Sequence, residues 1–333
     1  MNNYFNIKYG EGFLEFIDQT KLPFHEEYIR TDDYEVIAQA IEKLEVRGAP
    51  AIGIAAAFGL ALSQKFGTSQ EVFRSAYDRL YRTRPTAVNL FTALDQMRET
   101  YNKLILESYG IEFIEGERDR AIFFMLEEKA KAILIDDVKR CENIAKNGLE
   151  IFSKKSNVLT HCNTGKLATG GDGTAFAVIK KAFEAGFVEH VYVDETRPLL
   201  QGSRLTAYEL YHAGIPFSII TDSAAGFLMQ QGKVDLVITG ADRIASNGDA
   251  ANKIGTYSLA VLANYHKIPF YIAAPKTTVD SAIPSMDKIP IEFRSDNELC
   301  AFGNEKITRA EYSFYNPAFD KIPSKLITKI ITD

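Results

Sequence analysis

Two hydrophobic rhythms divide the chain. From Asn157 onward, short apolar runs alternate with longer helical stretches. Asn157 to His161, Glu189 to Asp194, Pro216 to Thr221, Val234 to Thr239 and Ile268 to Ala273 read as strands. Between them, Thr174 to Ala185, Gln201 to Ala213, Ala224 to Gln230 and Asn252 to Tyr265 read as helices. Strand–helix alternation of this kind predicts a doubly wound parallel sheet, buried on both faces. The N-terminal part is different. Tyr9-Gly10-Glu11-Gly12 marks a turn between short strands, with Phe13 to Ile17 as the second. Thr31-Asp32-Asp33 caps a helix over Tyr34 to Leu44, whose Val36, Ile37, Ala40, Ile41 and Leu44 share a face. Pro50 suits the first turn of the next helix, Ala51 to Gln64, which is apolar all round and therefore expected to be buried on all sides. Ser69 to Leu80 and Ala87 to Tyr101 are further helices. Ile114 to Gly148 holds one or two long ones, with a turn expected near Ile133 to Asp137.

The expected fold is thus α/β: a Rossmann-like, doubly wound parallel sheet in a C-terminal domain, residues 131–333. A smaller, mainly helical N-terminal domain with short strands, residues 1–130, precedes it. The 333 residues suffice for two domains, and 46% hydrophobic with 25% charged residues is ordinary for a globular protein. A net charge of -6 argues against a nucleic-acid surface. Three cysteines at irregular spacing suggest neither a disulfide framework nor a zinc site, and fit a reducing, cytoplasmic setting. The longest apolar stretch, Ala49 to Leu62, is short for a membrane span, and the start lacks the pattern of a signal peptide.

Candidate chemistry collects at the expected strand ends, where ligands bind in open α/β sheets. Val158 to His161 runs into Cys162 and then a glycine-rich turn with Gly165, Gly170, Gly171 and Gly173. This is not the dinucleotide G-x-G-x-x-G pattern, because the spacing differs. Asp194 and Arg197 follow a second strand, with Gln201 offering neutral donors to an oxygen-rich ligand. Asp242 follows Val234 to Thr239 and is either a general acid or base, or a cap on neighbouring N–H groups. Asn252 and Lys253 are expected to open a helix. A cation there opposes the helix dipole, so Lys253 either faces an anionic ligand or is a plain surface charge. In the N-terminal part, Arg47 stands before Gly48-Ala49-Pro50 at a buried helix start, and Arg84 stands before another helix. Arg47 either holds an anion beside exposed N–H groups or is a surface residue or structural ion pair, and Arg84 is a second anion candidate or part of a solvated turn.

Several ordered motifs then carry a family resemblance. They are Arg47-Gly48-Ala49-Pro50-Ala51-Ile52-Gly53, Arg84-Pro85-Thr86-Ala87-Val88-Asn89-Leu90 and Thr160-His161-Cys162-Asn163. Others are Asp194-Glu195-Thr196-Arg197-Pro198 with Gln201-Gly202-Ser203-Arg204-Leu205-Thr206, Gly240-Ala241-Asp242-Arg243, and Asn252-Lys253-Ile254-Gly255-Thr256. The chain resembles the methylthioribose-1-phosphate isomerases, the sugar-phosphate isomerases of methionine salvage. Their wider family includes regulatory subunits of a translation-initiation exchange factor. The resemblance implies Cys162 and Asp242 as a catalytic pair. It implies Arg47, Gly48, Ala49, Arg84, Gln201, Asn252 and Lys253 as substrate-binding positions. It further implies a homodimer, a small sugar phosphate as substrate, and no cofactor or metal. Asp172 and Lys276 depart from the usual pattern, which keeps an isomerase of 5-deoxyribose 1-phosphate, or of another C5-modified pentose 1-phosphate, as an alternative. A non-catalytic member of the wider family is the other.

If Arg47 and Arg84 hold the phosphate, Arg47→Ala and Arg84→Ala will each weaken sugar-phosphate binding by roughly 1.5–3 kcal/mol, the range for hydrogen bonds to charged groups. Titration calorimetry measures this directly. Unchanged affinity in both variants would place the arginines outside the site.

Overall fold

The computed structural model describes residues 4–84, 88–111, 114, 116–302, 305–309 and 311–333. It divides into two compact units. The first comprises Met1–Cys141 and Lys166–Gly173, the second Glu142–Gly165 and Thr174–Asp333.

The first unit opens with an antiparallel three-stranded sheet, β1 (Ile7–Gly10), β2 (Phe13–Ile17) and β3 (Tyr28–Thr31). The turn after β1 bends through positive φ at Glu11 and Gly12. Helix α1 (Tyr34–Glu42) starts where expected: the Asp33 side chain accepts the N–H of Glu35 and caps it. Its buried stripe is Ile37, Ala38, Ala40 and Ile41. Helix α2 (Ala49–Leu62) is the centre of the unit, with every residue from Ala51 to Leu62 buried. Its small side chains let neighbours approach closely. A Cβ on Gly53 would lie 2.7 Å from the carbonyl oxygen of Asn89. Helices α3 (Gln70–Tyr81) and α4 (Val88–Glu107) complete the packing around α2.

Helix α5 (Glu117–Gly148) is one continuous element. The turn expected near Ile133 to Asp137 does not occur, because that stretch holds neither glycine nor proline and its Asp137 is buried as an acceptor for Gly170 N–H at 2.7 Å. Gly170 and Gly171 lie against α5: a Cβ there would approach Leu134 to 2.6 Å and Cys141 to 2.8 Å. Burial, with the charge of Asp137, pushes the Cys141 thiol up to about 12. The segment 166–173 is also anchored to the start of the chain, with Gln19 donating to Leu167 O (2.7 Å) and Asn6 to Thr169 O (3.0 Å).

The second unit is built on six parallel strands. These are β4 (Ser156–Thr160), β5 (Val188–Asp194), β6 (Phe217–Ile220), β7 (Leu236–Thr239) and, after two strands of another sheet, β8 (Arg243–Ala245) and β9 (Ala250–Lys253), the strand β10 (Phe270–Ala273). Short strands β11 (Val279–Asp280), β12 (Ala301–Phe302) and β13 (Glu305–Lys306) precede β14 (Phe319–Ile322) and the sixth parallel strand, β15 (Lys329–Ile331). The parallel order is β15-β10-β7-β4-β5-β6. Strand alternation buries both faces. Val158, Leu236, Ile238 and Ala273 pack with Phe176, Val178 and Ile179 of α6 (Ala175–Glu184) and Leu210 of α7 (Ala207–Ala213). Leu159, Val237, Phe270 and Ile272 pack with Met229 of α8 (Ala225–Gln230) and with Leu259, Ala260 and Ala263 of α9 (Thr256–Tyr265). This is the doubly wound sheet that the alternation predicts.

Two further details differ from the sequence reading. Asn252 and Lys253 end strand β9 and do not open a helix; β9 pairs with β8 and β14 in a second, four-stranded sheet, and α9 starts only at Thr256. The helix expected over Gln201 to Ala213 opens with a π-helical turn, Gly202–Thr206.

Gly48 has φ 92°, and a Cβ there would sit 2.4 Å from the Ala168 Cα. Gly48→Ala therefore combines backbone strain with a backbone clash. We expect it to lower the unfolding free energy by about 3 kcal/mol or more, toward the exceptional end for single substitutions. A urea midpoint equal to that of the native protein would contradict this.

Candidate active site

The parallel strand order reverses between β4 and β7. Chain progress from β4 runs outward through β5 to β6, and from β7 outward through β10 to β15. The crevice at such a reversal is the ligand position of this architecture. Cys162 lies two residues past β4 and Asp242 three past β7, so both expected catalytic residues follow the strands that flank the reversal. Their loops touch: a Cβ on Gly240 would lie 2.8 Å from Cγ2 of Thr164. Cys162 is 9% exposed and has φ 64°, the left-handed region. Asp242 is half-buried, and its N–H donates to Ala251 O at 2.9 Å, tying it to β9.

Of the other expected residues of this unit, Gln201 follows β5, and Asn252 and Lys253 end β9, the strand to which Asp242 is tied through Ala251. Gln201 leads into the π-helical turn, a feature that recurs at functional sites. It is 6% exposed, and its Oε1 makes no hydrogen bond. A buried amide oxygen with no partner costs free energy, so a hydroxyl-bearing ligand would relieve it. The turn meets β5 without clearance: a Cβ on Gly202 would lie 1.7 Å from the Asp194 carbonyl oxygen. Asn252 is buried and donates to Thr256 Oγ1 at 3.0 Å, and the Lys253 ammonium lies 4.6 Å from the Phe319 ring centroid. Lys253 is therefore a strand-borne cation over an aromatic face, and the argument from an opposed helix dipole does not apply.

Arg47, Gly48, Ala49 and Arg84 belong to the first unit. The Gly53–Asn89 approach brings the starts of α2 and α4 together. Arg47 precedes one start and Arg84 the stretch leading to the other, both half-buried. The two helices thus meet within their first turns, each with an arginine upstream, and an arginine beside a helix start suits an anion. Positions 85–87 of the Arg84 motif lie outside the described residues. The two unusual positions are accounted for locally. Asp172 forms an ion pair with Lys166 at 3.6 Å, and Lys276 is exposed, its N–H donating to Asp333 at 2.7 Å.

Beside Cys162 lies a buried pair that sequence reasoning left without a role. His161 and Asp194 are each 1% exposed and joined at 2.8 Å through Nδ1 and Oδ2. Nε2 lies 2.8 Å from Ile254 O, a pure acceptor, so Nε2 carries a proton. The Nδ1–Oδ2 contact needs a second proton, which leaves the pair neutral overall. Burial pushes the Asp194 carboxyl up to about 6, against the pull of the imidazole. Burial would lower the imidazole pKa, but the hydrogen bond and charge of Asp194 hold it above its ordinary value. Asp222 lies close to both, its ligand atom within 4.8 Å of theirs. Both Asp222 oxygens accept backbone N–H groups, from Thr196 and Arg197 at 2.8 Å. Both ring nitrogens of His161 are likewise engaged, so this trio is a hydrogen-bonded brace whose donor atoms do not suit a metal ion.

Comparison with known proteins places this fold in a family. Residues 45–333 match the model of the Initiation factor 2 subunit family. The chain is 48% identical over 330 residues to the methylthioribose-1-phosphate isomerase of Pelotomaculum thermopropionicum, covering 97% of this chain and 88% of that protein. It is 50% identical over 326 residues to the isomerase of the same name from Desulfitobacterium hafniense (strain Y51), covering 96% and 92%. Among solved structures, the 5-methylthioribose 1-phosphate isomerase of Pyrococcus horikoshii OT3 superposes with a TM-score of 0.89 at 40% identity, over 99% of this chain and 91% of that one. A structure from A. fulgidus described as translation initiation factor eIF-2B, subunit delta, gives 0.85 at 40% identity, over 99% and 94%. The chain belongs to the Initiation factor 2 subunit family, as one of its methylthioribose-1-phosphate isomerase-like members.

Asp320 bears on the pH behaviour of this region. It accepts the N–H groups of Gly255 (2.7 Å) and Tyr257 (3.0 Å) at the start of α9, and burial pushes its carboxyl up to about 6. An unfolded aspartate titrates near ~3.9. Between these values the folded state holds the extra proton, so the Asp320 contribution to stability falls as pH rises from about 4 to 6 and is level above. Urea midpoints should show Asp320→Asn gaining on the native protein across that window. Parallel curves for the two proteins would refute the assignment.

Proposed function

We propose that this protein is an aldose–ketose isomerase that converts 5-methylthioribose 1-phosphate to 5-methylthioribulose 1-phosphate in methionine salvage. The observation that carries the reading is the placement of Cys162 and Asp242 after the two strands that flank the sheet reversal, in a chain about half identical to isomerases of that name. The substrate phosphate locks the anomeric carbon, so the ring must open with phosphate retained. In our proposal Asp242, protonated, gives its proton to the ring oxygen as the bond from C1 to that oxygen breaks. Cys162, as thiolate, takes the C2 hydrogen as a proton, and its electron pair forms the C1–C2 double bond of an enol phosphate. The Asp242 carboxylate then accepts the C2 hydroxyl proton while the thiol returns its proton to C1. The ketone forms and both residues regain their starting states.

Gln201, Asn252 and Lys253 are proposed to hold the sugar and its phosphate, with Arg47, Gly48, Ala49 and Arg84, in the N-terminal domain over residues 1–130, contributing phosphate contacts. Fixing the reacting atoms by such contacts lowers the entropic cost of the step. The absence of a cofactor or metal, assembly as a homodimer and a cytoplasmic location belong to the same proposal and rest on the resemblance. Among the described residues no helix is long and apolar enough to cross a membrane.

The test is turnover. Purified protein with 5-methylthioribose 1-phosphate should yield the ketose phosphate. Asp242→Asn and Cys162→Ser should each lower kcat by about 10²–10⁴-fold, the usual contribution of a general acid or base. Turnover of 5-deoxyribose 1-phosphate alone would shift the reading to the C5-modified alternative. No turnover of either sugar would leave the non-catalytic family role, and near-normal turnover by either variant would remove that residue from the pair.

A further inference from the structure

We infer that Thr196 and Thr206 are positioning residues that clamp the backbone of Cys162 from both sides and thereby aim its thiol. The inference rests on the catalytic reading of Cys162. It starts from that residue's φ of 64°, a conformation that non-glycine residues adopt only when their surroundings enforce it. The enforcing groups are two buried hydroxyls. The N–H of Cys162 donates to Thr196 Oγ1 at 2.9 Å, and the Thr206 hydroxyl donates to the Cys162 carbonyl.

Each hydroxyl has one proton, so the direction of both bonds can be followed further. Thr196 spends its proton on the Asp194 carbonyl at 3.0 Å and is thereby fixed as the acceptor for Cys162. Thr206 spends its proton on Cys162 and accepts from Asn163 Nδ2 at 3.3 Å, while Asn163 also donates to the buried Glu209 carboxylate. Behind Thr196, Asp222 holds the N–H groups of Thr196 and Arg197, and Thr196 is itself in the left-handed region at φ 64°. A β-branched residue there is a strained choice that a local turn does not need. In this conformation the hydroxyl bridges Asp194 O and Cys162 N. Thr206 ends the π-helical turn that Gly202 brings against β5. An irregular helix, a glycine and a second strained residue, Thr196, thus bear on the backbone of one cysteine.

The experiment compares Thr196→Val and Thr206→Val with Thr196→Ser and Thr206→Ser. Valine keeps shape and removes the hydroxyl; serine keeps the hydroxyl. Two readouts are taken: steady-state kinetics with 5-methylthioribose 1-phosphate, and the rate at which iodoacetamide alkylates Cys162 in the substrate-free protein, followed by peptide mass spectrometry. We expect each valine variant to lose about 10–100-fold in kcat, the cost of misplacing a reacting group by about 1 Å, with KM changed less than about threefold. The serine variants should recover to within a few-fold of the native protein, and the alkylation rate should change in the valine variants alone. A valine variant that keeps native kcat and native alkylation overturns the clamp. Where a valine variant does not fold, alanine replaces it, and equal kcat for alanine and serine overturns the clamp. If Cys162→Ser retains turnover, the catalytic reading fails separately. The clamp is then judged by alkylation, and unchanged rates in both valine variants overturn it.

Discussion

One proton, shared between His161 and Asp194 in a fully buried contact, ties three loops of the second unit together. His161 ends the run that leads from β4 to Cys162. Asp194 is the last residue of β5. The opposite face of the imidazole ring reaches Ile254, just after β9, and Gly255 packs so closely that a Cβ would lie 2.9 Å from the ring. Three loops are thus held at fixed separation by a pair that tolerates neither the loss of its proton nor the loss of one partner. A lone buried charge would be far costlier than the pair it replaces. Everything placed on those loops inherits the constraint, including Cys162, Gln201 after β5, and Asn252 and Lys253.

Much of this was legible in the sequence, for identifiable reasons. The parallel sheet shows itself because each strand is buried on both faces and reads as a short continuous apolar run, as Val158-Leu159 and Leu236-Val237-Ile238 do. Helix α2 is legible because a segment apolar on every side can only be interior. Residues at strand ends, Cys162 and Asp242 among them, follow from topology once the strands are placed. The pairing of those two strands does not, because nothing local specifies that β7 returns beside β4. Asn252 and Lys253, the last two residues of β9, read as a helix start because an apolar helical stretch follows them, while the strand's partners β8 and β14 lie on either side of it in a separate sheet. The last parallel strand, β15, is three residues long and carries no pattern of its own. Thr196 and Thr206 fall inside the motifs, yet nothing in the sequence marks their hydroxyls, since a hydroxyl bonded to a backbone atom is a property of packing and not of periodicity.

The first unit offers the complementary lesson. Its candidate anion site depends on how closely two helices approach, and Gly53 sets that distance. In the sequence, Arg47 and Arg84 are both anion candidates, 37 positions apart, with nothing local to link them. In the fold each stands ahead of one of two helix starts brought together in the same core. Gly48 and Ala168 add a second reason for the Arg47 motif, a packing one, so that motif serves the fold as well as the proposed ligand.

The central claim is that Cys162 and Asp242 act on one sugar at the sheet reversal. The most direct measurement is a crystal structure of Cys162→Ala with 5-methylthioribose 1-phosphate bound. The account predicts the sugar at the carboxyl ends of β4 and β7, its ring oxygen within hydrogen-bond distance of the Asp242 carboxyl and its C2 facing residue 162. A sugar phosphate bound elsewhere, with Asp242 making protein contacts alone, would contradict it.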